Sequence, residues 1–121
     1  TLQWLMFQMG GVGPMFGQVG FFTIFAGKDI EDKRPRDRYT AESKRLLGVL
    51  NQRLKGRQWI MGDEYTIADI AIWPWVRNLV ERYKAGDLVG YGEFTEVQRV
   101  LAAFVARPAV EKGLAIPAAP N

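Results

Sequence analysis

The segment from Gly62 to Trp75 reads Gly62-Asp63-Glu64-Tyr65-Thr66-Ile67-Ala68-Asp69-Ile70-Ala71-Ile72-Trp73-Pro74-Trp75. Thr66 and Asp69 have the spacing of a capping box, in which a hydroxyl and a carboxylate each accept a hydrogen bond from a backbone amide at the start of a helix. The residues that follow are apolar on nearly every side of the expected helix, which is typical of a helix buried in the centre of a domain. The segment therefore predicts a buried helix whose start is fixed by Thr66 and Asp69.

Apolar residues recur at helical spacing before this segment. Leu2, Leu5, Met6 and Met9 predict a helix that begins near Leu2, bends at Gly10–Pro14 and continues through Phe25, because glycine frees the backbone and proline removes a donor. A second helix is expected from about Pro35 to Gly56, after a charged connector. Its inward stripe has a spacing of threes and fours and consists of Tyr39, Ser43, Leu46, Leu47, Leu50 and Leu54.

The same spacing recurs after the central segment. The glycine-rich stretch 86–92 predicts a loop, and a further helix is expected from about Thr95 to Arg107-Pro108, followed by a short helix through Lys112. The tail Pro117–Asn121 is expected to be loose. We find no strand pattern and no repeat, so the sequence predicts one all-α domain, residues 1–121, with about five helices.

The composition limits the chemistry that this chain can supply. Its 121 residues are 48% hydrophobic and contain neither cysteine nor histidine. The chain therefore has no thiol, no disulfide, and neither the commonest general base nor the commonest metal ligand. No acidic cluster has the spacing of a metal site. We expect no catalytic residue in this chain and no metal.

The charge pattern argues against a nucleic-acid partner. The net charge is only +3, and the most basic stretch holds Lys44, Arg45, Arg53, Lys55 and Arg57. A nucleic-acid-binding surface would need a denser basic stripe or a recognisable motif. An ordinary solvated helix face is the expected role of these residues.

Residues Thr1–Ala26 carry no charge, which raises the alternative of a membrane-inserted helix that detergent would protect. Three glutamines and the break at Gly10–Pro14 oppose that alternative, and the lack of a basic flank opposes a signal peptide. We expect a buried or interface helix and no membrane partner. The chain begins at Thr1 rather than methionine, so we expect a fragment or a processed product.

Several motifs together resemble one family. The chain is similar to the C-terminal helical domain of bacterial Nu-class glutathione transferases, a subgroup that also resembles bacterial glutathione-dependent disulfide-bond oxidoreductases and the yeast nitrogen-regulation prion protein. The motifs that carry the resemblance are the Gly62–Trp75 segment, Thr1-Leu2-Gln3-Trp4-Leu5, Gln8-Met9-Gly10-Gly11-Val12-Gly13-Pro14-Met15, Gly17-Gln18, Asp37-Arg38-Tyr39-Thr40 and Arg107-Pro108-Ala109-Val110.

The resemblance implies a binding role for two residues. Gln3 and Arg38 match family positions that reach glutathione from the helical domain. A guanidinium can hold a carboxylate of glutathione through two parallel hydrogen bonds, and a glutamine side chain can pair with its peptide groups. The alternative for Arg38 is a solvated arginine at a helix start.

The sequence also departs from the subgroup. It has Val19-Gly20-Phe21-Phe22 where a polar, histidine-containing segment is common, and its connector from Lys28 to Arg36 is unusually charged. Both stretches lie near the expected site of the second substrate. A set of aromatic residues could line an acceptor pocket there, although ordinary core packing is the default for Trp4, Phe7, Phe16, Phe21 and Phe22.

The resemblance implies the following function. A thioredoxin-like domain would precede this chain, and the intact protein would be a cytoplasmic homodimer that uses glutathione as a co-substrate for thiol–disulfide exchange. Two alternatives remain open: conjugation of glutathione to apolar electrophiles, and a non-catalytic domain kept for interactions. The resemblance implies an enzyme for the intact protein and leaves the activity of this chain alone undecided.

Overall fold

The chain folds as an all-α bundle, as its sequence predicts, in a computed structural model that describes residues 1–118. Residues 119–121, which include most of the tail expected to be loose, lie outside this range. No β-strand occurs among the described residues, and none of their helices has both the length and the apolar character needed to cross a bilayer. The six α-helices are α1 Leu2–Phe7, α2 Gly13–Thr23, α3 Arg34–Leu54, α4 Ile67–Arg77, α5 Thr95–Val105 and α6 Pro108–Leu114.

These helices make five continuous rods, because α1 passes into α2 without leaving the helical conformation. The join is a π-helical turn over Gln8–Val12, slightly before the bend expected at Gly10–Pro14, and the rod ends at Thr23 rather than Phe25. A second π-helical turn, Asn78–Arg82, extends α4. Pro74 lies inside α4, where it removes one backbone donor.

Gly13 leaves room for a side chain of the first rod itself. A Cβ atom at this position would lie 2.7 Å from Nε2 of Gln8, so a side chain here would displace that buried amide. The ring of Trp75, on α4, would lie 3.5 Å from the same Cβ atom, an ordinary van der Waals contact.

The central helix α4 has the predicted start. Oγ1 of Thr66 accepts a hydrogen bond from the amide of Ala68 at 3.2 Å, and Oδ2 of Asp69 accepts one from the amide of Thr66 at 3.1 Å. The helix buries one broad face in the core, including Ile72, Trp73 and Val76. The predicted buried helix is thus confirmed for this face, but two of its apolar residues, Ile67 and Ile70, are exposed on the other side.

The carboxylate of Asp69 does more than cap α4. It is fully buried, and its Oδ1 accepts hydrogen bonds from Nε1 of Trp73 at 2.9 Å and from the amide of Ile60 at 3.2 Å. With the bond from Thr66, three donors converge on one charged group. The carboxylate therefore joins the start of α4, an indole one turn later and the segment that enters from α3.

The start of α5 is capped by a residue far away in the sequence. Oδ1 of Asn51, on α3, accepts hydrogen bonds from the amides of Glu96 at 2.9 Å and Val97 at 3.2 Å. The residue that precedes α5, Phe94, provides no side-chain cap. Arg99, on α5, bonds in return to the end of α3. Its Nη2 donates to the carbonyl oxygens of Leu54 at 3.1 Å and Arg57 at 2.7 Å.

The basic residues from Lys44 to Arg57 do not form the single solvated face that we expected. Nε of Arg53 donates to the carbonyl of Ile60 at 2.8 Å, and its guanidinium lies 5.1 Å from the ring centre of Trp4. Arg57 donates to the carbonyl of Arg53 at 2.7 Å. These two arginines therefore hold the C-terminal end of α3 against its neighbours.

We expect Asp69→Ala to lower the free energy of unfolding by about 3–5 kcal/mol, because two buried donors and one partly buried donor would lose a charged acceptor. An exposed cap is worth only about 1 kcal/mol. Urea unfolding of wild type and Asp69→Ala measures the difference between their free energies of unfolding. Asp63→Ala is the matched control, since Asp63 is exposed in the same connection. Equal midpoints and slopes for wild type and Asp69→Ala would contradict the buried-cap interpretation.

Asn51→Ala should cost about 1–2 kcal/mol, because the first amides of α5 would lose their acceptor. Asn51→Asp should stay within about 0.5 kcal/mol of wild type, since a carboxylate also accepts these bonds and suits a helix N-terminus. Thermal or urea unfolding of both variants tests this, with Gln52→Ala as the exposed neighbouring control. A loss that is as large in Asn51→Asp as in Asn51→Ala would show that capping is not the role of Asn51.

Candidate functional site

A cleft of about 380 Å³ lies between α2 and the first half of α3. Met15 contributes from α2. The α3 helix contributes the other lining residues, two of which carry a guanidinium group: Arg38, Tyr39, Ala41, Glu42 and Arg45. The two helices lie side by side because a short connector reverses the chain between Thr23 and Arg34. The cleft therefore combines an apolar side chain from one helix with a charged face from the other.

The charges in the cleft are unequally paired. Arg45 binds Glu42 through two hydrogen bonds, from Nη2 to Oε1 at 2.7 Å and from Nε to Oε2 at 2.8 Å. Arg38, exposed at the same face, makes no side-chain hydrogen bond or ion pair within residues 1–118. Arg38 is therefore a guanidinium that an incoming anion can reach without displacing a protein partner.

The ionised form of Glu42 is favoured by its neighbours. Its pKa lies below the ordinary value, first because Arg45 donates hydrogen bonds to the carboxylate, and further because of the charges on Arg45 and Arg38. The pKa of Arg45 is raised by the same pair. At neutral pH the face therefore presents one anion, Glu42, with one cation on each side of it, Arg38 and Arg45.

Aromatic side chains flank the cleft. The ring of Phe22 stacks on that of Tyr39, with centroids 5.9 Å apart and an angle of 17° between the planes. Phe21 packs edge-on against Phe22 at 4.9 Å and is itself exposed. Among the aromatic residues considered for an acceptor pocket, Trp4 and Phe16 belong to the core, which was the default expectation for them.

The structure does not bring the two residues assigned to glutathione together. Gln3 is exposed at the start of α1 and does not line the cleft. Met15, where the same rod meets the cleft, lies roughly 18 Å further along the helix axis. Gln3 and Arg38 therefore belong to separate parts of the surface, which a pattern of helical spacing cannot reveal. Sequence reasoning also missed Glu42 and Arg45, whose i, i+3 spacing was the available signal.

The reactive groups of the site are limited to charged and aromatic side chains. The chain has no cysteine or histidine, and residues 1–118 contain no group of three or more acidic side chains arranged to hold a metal ion. The arrangement can bind and orient an anionic ligand. It offers no nucleophilic thiol of its own.

Comparison with known proteins places this geometry in a family. The family model described as "Glutathione S-transferase, C-terminal domain" matches residues 35–107. The disulfide-bond oxidoreductase YghU of Escherichia coli is 40% identical over 115 residues, which cover 93% of this chain and 39% of that protein.

Two solved structures are similar over nearly the whole chain. A glutathione transferase from Burkholderia graminis, with two glutathione molecules bound per subunit, is 70% identical with a TM-score of 0.93, and the match covers 98% of this chain and 49% of that one. A glutathione transferase from Pseudomonas putida, with one glutathione disulfide bound per subunit, is 76% identical with a TM-score of 0.93, and the match covers 96% and 50%.

The chain thus spans at most about half the length of these relatives. The matching model, the relatives and the capped central helix agree on one assignment. The chain belongs to the glutathione S-transferase family, as a C-terminal helical domain of the subgroup that includes the bacterial disulfide-bond oxidoreductases.

Proposed function

We propose that this chain is the helical half of an enzyme that binds glutathione and catalyses thiol–disulfide exchange. The observation that carries the proposal is the guanidinium of Arg38, which lies in the cleft without a partner among residues 1–118, in a domain whose relatives are named disulfide-bond oxidoreductases or hold bound glutathione. A carboxylate of glutathione is a suitable partner for such a group, because guanidinium and carboxylate form two parallel hydrogen bonds.

The proposed reaction needs two glutathione molecules for each disulfide reduced. The thiolate of the first attacks one sulfur of the disulfide, a new S–S bond forms, and the other half leaves as a thiolate that takes up a proton. The second glutathione attacks this mixed disulfide, which releases the second thiol and forms glutathione disulfide. This chain has no cysteine, and we assign the attacking sulfur to glutathione.

Groups outside this chain would lower the pKa of the attacking thiol. Amides and a hydroxyl of a thioredoxin-like half are the proposed source, since hydrogen bonds to the charged form favour the thiolate. We assign Gln3 to the glutathione held on that half and Arg38 to the second glutathione unit. The separation of roughly 18 Å between Gln3 and the cleft along the rod supports this division.

An apolar surface marks the proposed position of the thioredoxin-like half. Its side chains are 52–69% exposed and lie on α1, the adjoining π-helical turn and the start of α4: Leu2, Met6, Met9, Ile67 and Ile70. Large exposed apolar areas of this kind usually mark an interaction site. Gln3 adjoins this surface, which supports its assignment to glutathione held on the other half. The proposal includes a cytoplasmic homodimer for the two-domain protein.

Conjugation of glutathione to an apolar electrophile is the second candidate function. The observation that favours it is the stacked pair Phe22 and Tyr39 beside the cleft, which offers an apolar face to a ligand. Parallel assays separate the two: reduction of bis(2-hydroxyethyl) disulfide, followed through formation of glutathione disulfide, and conjugation of a chlorodinitrobenzene, followed by absorbance. A non-catalytic interaction domain would show neither activity.

We expect Arg38→Ala, in the two-domain protein, to raise KM for glutathione about tenfold or more, because a charge-assisted hydrogen bond is worth roughly 1.5–3 kcal/mol. Arg38→Lys should recover only part of this loss, since an ammonium cannot reproduce the planar two-pronged contact. Steady-state kinetics of disulfide reduction with varied glutathione measures both variants.

Arg34→Ala is the control for the Arg38 measurement. Arg34 lies at the start of the same helix, but it pairs with Asp32 outside the cleft and its side chain is almost fully exposed. Circular dichroism checks that every variant is folded. An unchanged dependence on glutathione in Arg38→Ala would mean that Arg38 is an ordinary surface arginine.

Met6→Glu tests the proposed contact with the other half. In the 121-residue chain the free energy of unfolding of the variant should stay within about 0.5 kcal/mol of the wild-type value, because Met6 is already exposed. In the two-domain protein the same substitution should lower the free energy of unfolding by at least about 2 kcal/mol, because the glutamate would replace an apolar side chain that the other half buries. Leu114→Glu, at an exposed apolar residue of α6, should affect neither protein. The same small effect of Met6→Glu in both proteins would refute the assignment of this surface.

A further inference from the structure

The side-chain amide of Gln8 has no partner within the helical bundle. Gln8 begins the π-helical turn of the first rod and is only 8% exposed. Even so, its amide makes no hydrogen bond to any group of residues 1–118, where the fully buried side-chain atoms without a partner belong to Thr40 and Ser43. The amide of Gln8 therefore reaches the surface, and a group from outside the bundle can bind it.

A second unpaired polar group lies beside this amide. A Cβ atom at Gly13 would lie 2.7 Å from Nε2 of Gln8 and 3.5 Å from Cε2 of Trp75, so the amide and the indole are neighbours. The indole N–H of Trp75 makes no hydrogen bond in the described part of the chain, whereas that of Trp73 donates to Asp69. The two side chains thus offer several donors and one acceptor at one place between the first rod and α4.

Glycines keep the main chain of the rod open at this place. At Gly17, one turn after Gly13, an added Cβ atom would lie 3.9 Å from the ring of Trp75, which is an ordinary contact. Because neither glycine carries a side chain, another main chain can approach the rod closely along that ring. Residues 1–26 carry no charge, so the place suits a neutral group. We call Gln8, Gly13, Gly17 and Trp75 the amide groove.

We propose that the amide groove binds a main-chain peptide group of the thioredoxin-like half, and that Gln8 positions that half on the bundle. A peptide group has one donor and one acceptor, which match the carbonyl and the NH2 group of a glutamine side chain. The groove lies between the first rod and α4, the two elements that carry the exposed apolar surface. This inference rests on the proposed function, which assigns that surface to the other half.

The unpaired amide gives the proposal a measurable signature. In the bundle alone, leucine at position 8 would fill the same space without an unpaired amide, whose burial costs free energy. In the two-domain protein the amide is paired, and its removal would leave a peptide group of the other half without a partner. One substitution should therefore have opposite effects in the two proteins. A glutamine that only packs within the bundle would show the same effect in both.

The first test is Gln8→Leu, measured by thermal unfolding of the 121-residue chain and of the two-domain protein. In the 121-residue chain Tm should stay the same or rise, because leucine is of similar size and has no polar group. In the two-domain protein Tm should fall by about 4 °C or more, because a hydrogen bond between the halves is lost. Gln52→Leu is the control, since Gln52 is exposed on α3 and should give the same small shift in both.

Two outcomes of this measurement would overturn the proposal. One is a similar shift of Tm by Gln8→Leu in both proteins. The other is a fall of Tm in the 121-residue chain as large as in the two-domain protein, which would mean that the amide serves the bundle itself. Circular dichroism checks that each variant has the helical content of wild type.

Gly17→Ala tests the open main chain of the groove. In the 121-residue chain Tm should rise by about 3–5 °C, because alanine favours a helix over glycine. In the two-domain protein Tm should fall, because the methyl group would keep the other main chain away. Gly48→Ala is the matched control: Gly48 lies inside α3, its added methyl group would lie 3.9 Å from the ring of Phe94, and Tm should rise in both proteins. A rise for Gly17→Ala in both proteins would overturn the proposal.

Glutathione also contains peptide groups, and calorimetry with the 121-residue chain separates it from the other half. Binding of glutathione that Gln8→Leu abolishes would overturn the assignment of the groove to a protein main chain. None of these measurements depends on turnover. An inactive two-domain protein would therefore refute the proposed reaction alone, whereas equal effects of Gln8→Leu in the two proteins would refute the role of the amide groove alone.

Discussion

The carboxylate of Asp69 is the group on which the packing of this domain depends. Burial of an ionised side chain is costly unless several donors satisfy it, and here the donors come from Thr66, Trp73 and Ile60. Each belongs to a different part of the local structure: the turn before α4, the helix itself, and the segment arriving from α3. A single charged group thus sets the start of the central helix and the position of the indole at its core, and the neighbouring helices pack around both.

The functional character of the chain follows from what its side chains can and cannot do. A domain without cysteine or histidine supplies neither a thiolate nor an imidazole, so the role that we propose for it is recognition and orientation of glutathione. Placing charged residues on an exposed helix face keeps their desolvation small until a ligand arrives. The domain thus presents two distinct surfaces, one with exposed apolar side chains on α1 and α4 and one with charged side chains on α3.

Local patterns made most of the fold predictable. The spacing of Leu46, Leu47 and Leu50 and the Thr66–Asp69 pair act over one or two turns, so a sequence displays them directly, and the structure confirms both. Contacts between distant residues were not predictable in this way: Asn51 accepts a hydrogen bond from the amide of Glu96, 45 residues later in the chain. The same limit applies to the site, where only the packing of α2 against α3 reveals that Arg38 faces a cleft and that Gln3 does not.

The reciprocal bonds of Asn51 and Arg99 have a consequence for how the bundle opens. They join the end of α3 to the start of α5 through carbonyls and amides on both sides, so neither end can fray without releasing the other. Amide hydrogens around this junction should exchange together as one cooperative unit. At the start of α3, where the cleft lies, the ion pairs Arg34–Asp32 and Arg36–Asp37 lie at the surface, and Tyr39 stacks on Phe22 of α2. The two ends of the longest helix thus differ: hydrogen bonds to backbone groups tie one end to α5, and side-chain packing and surface ion pairs hold the other.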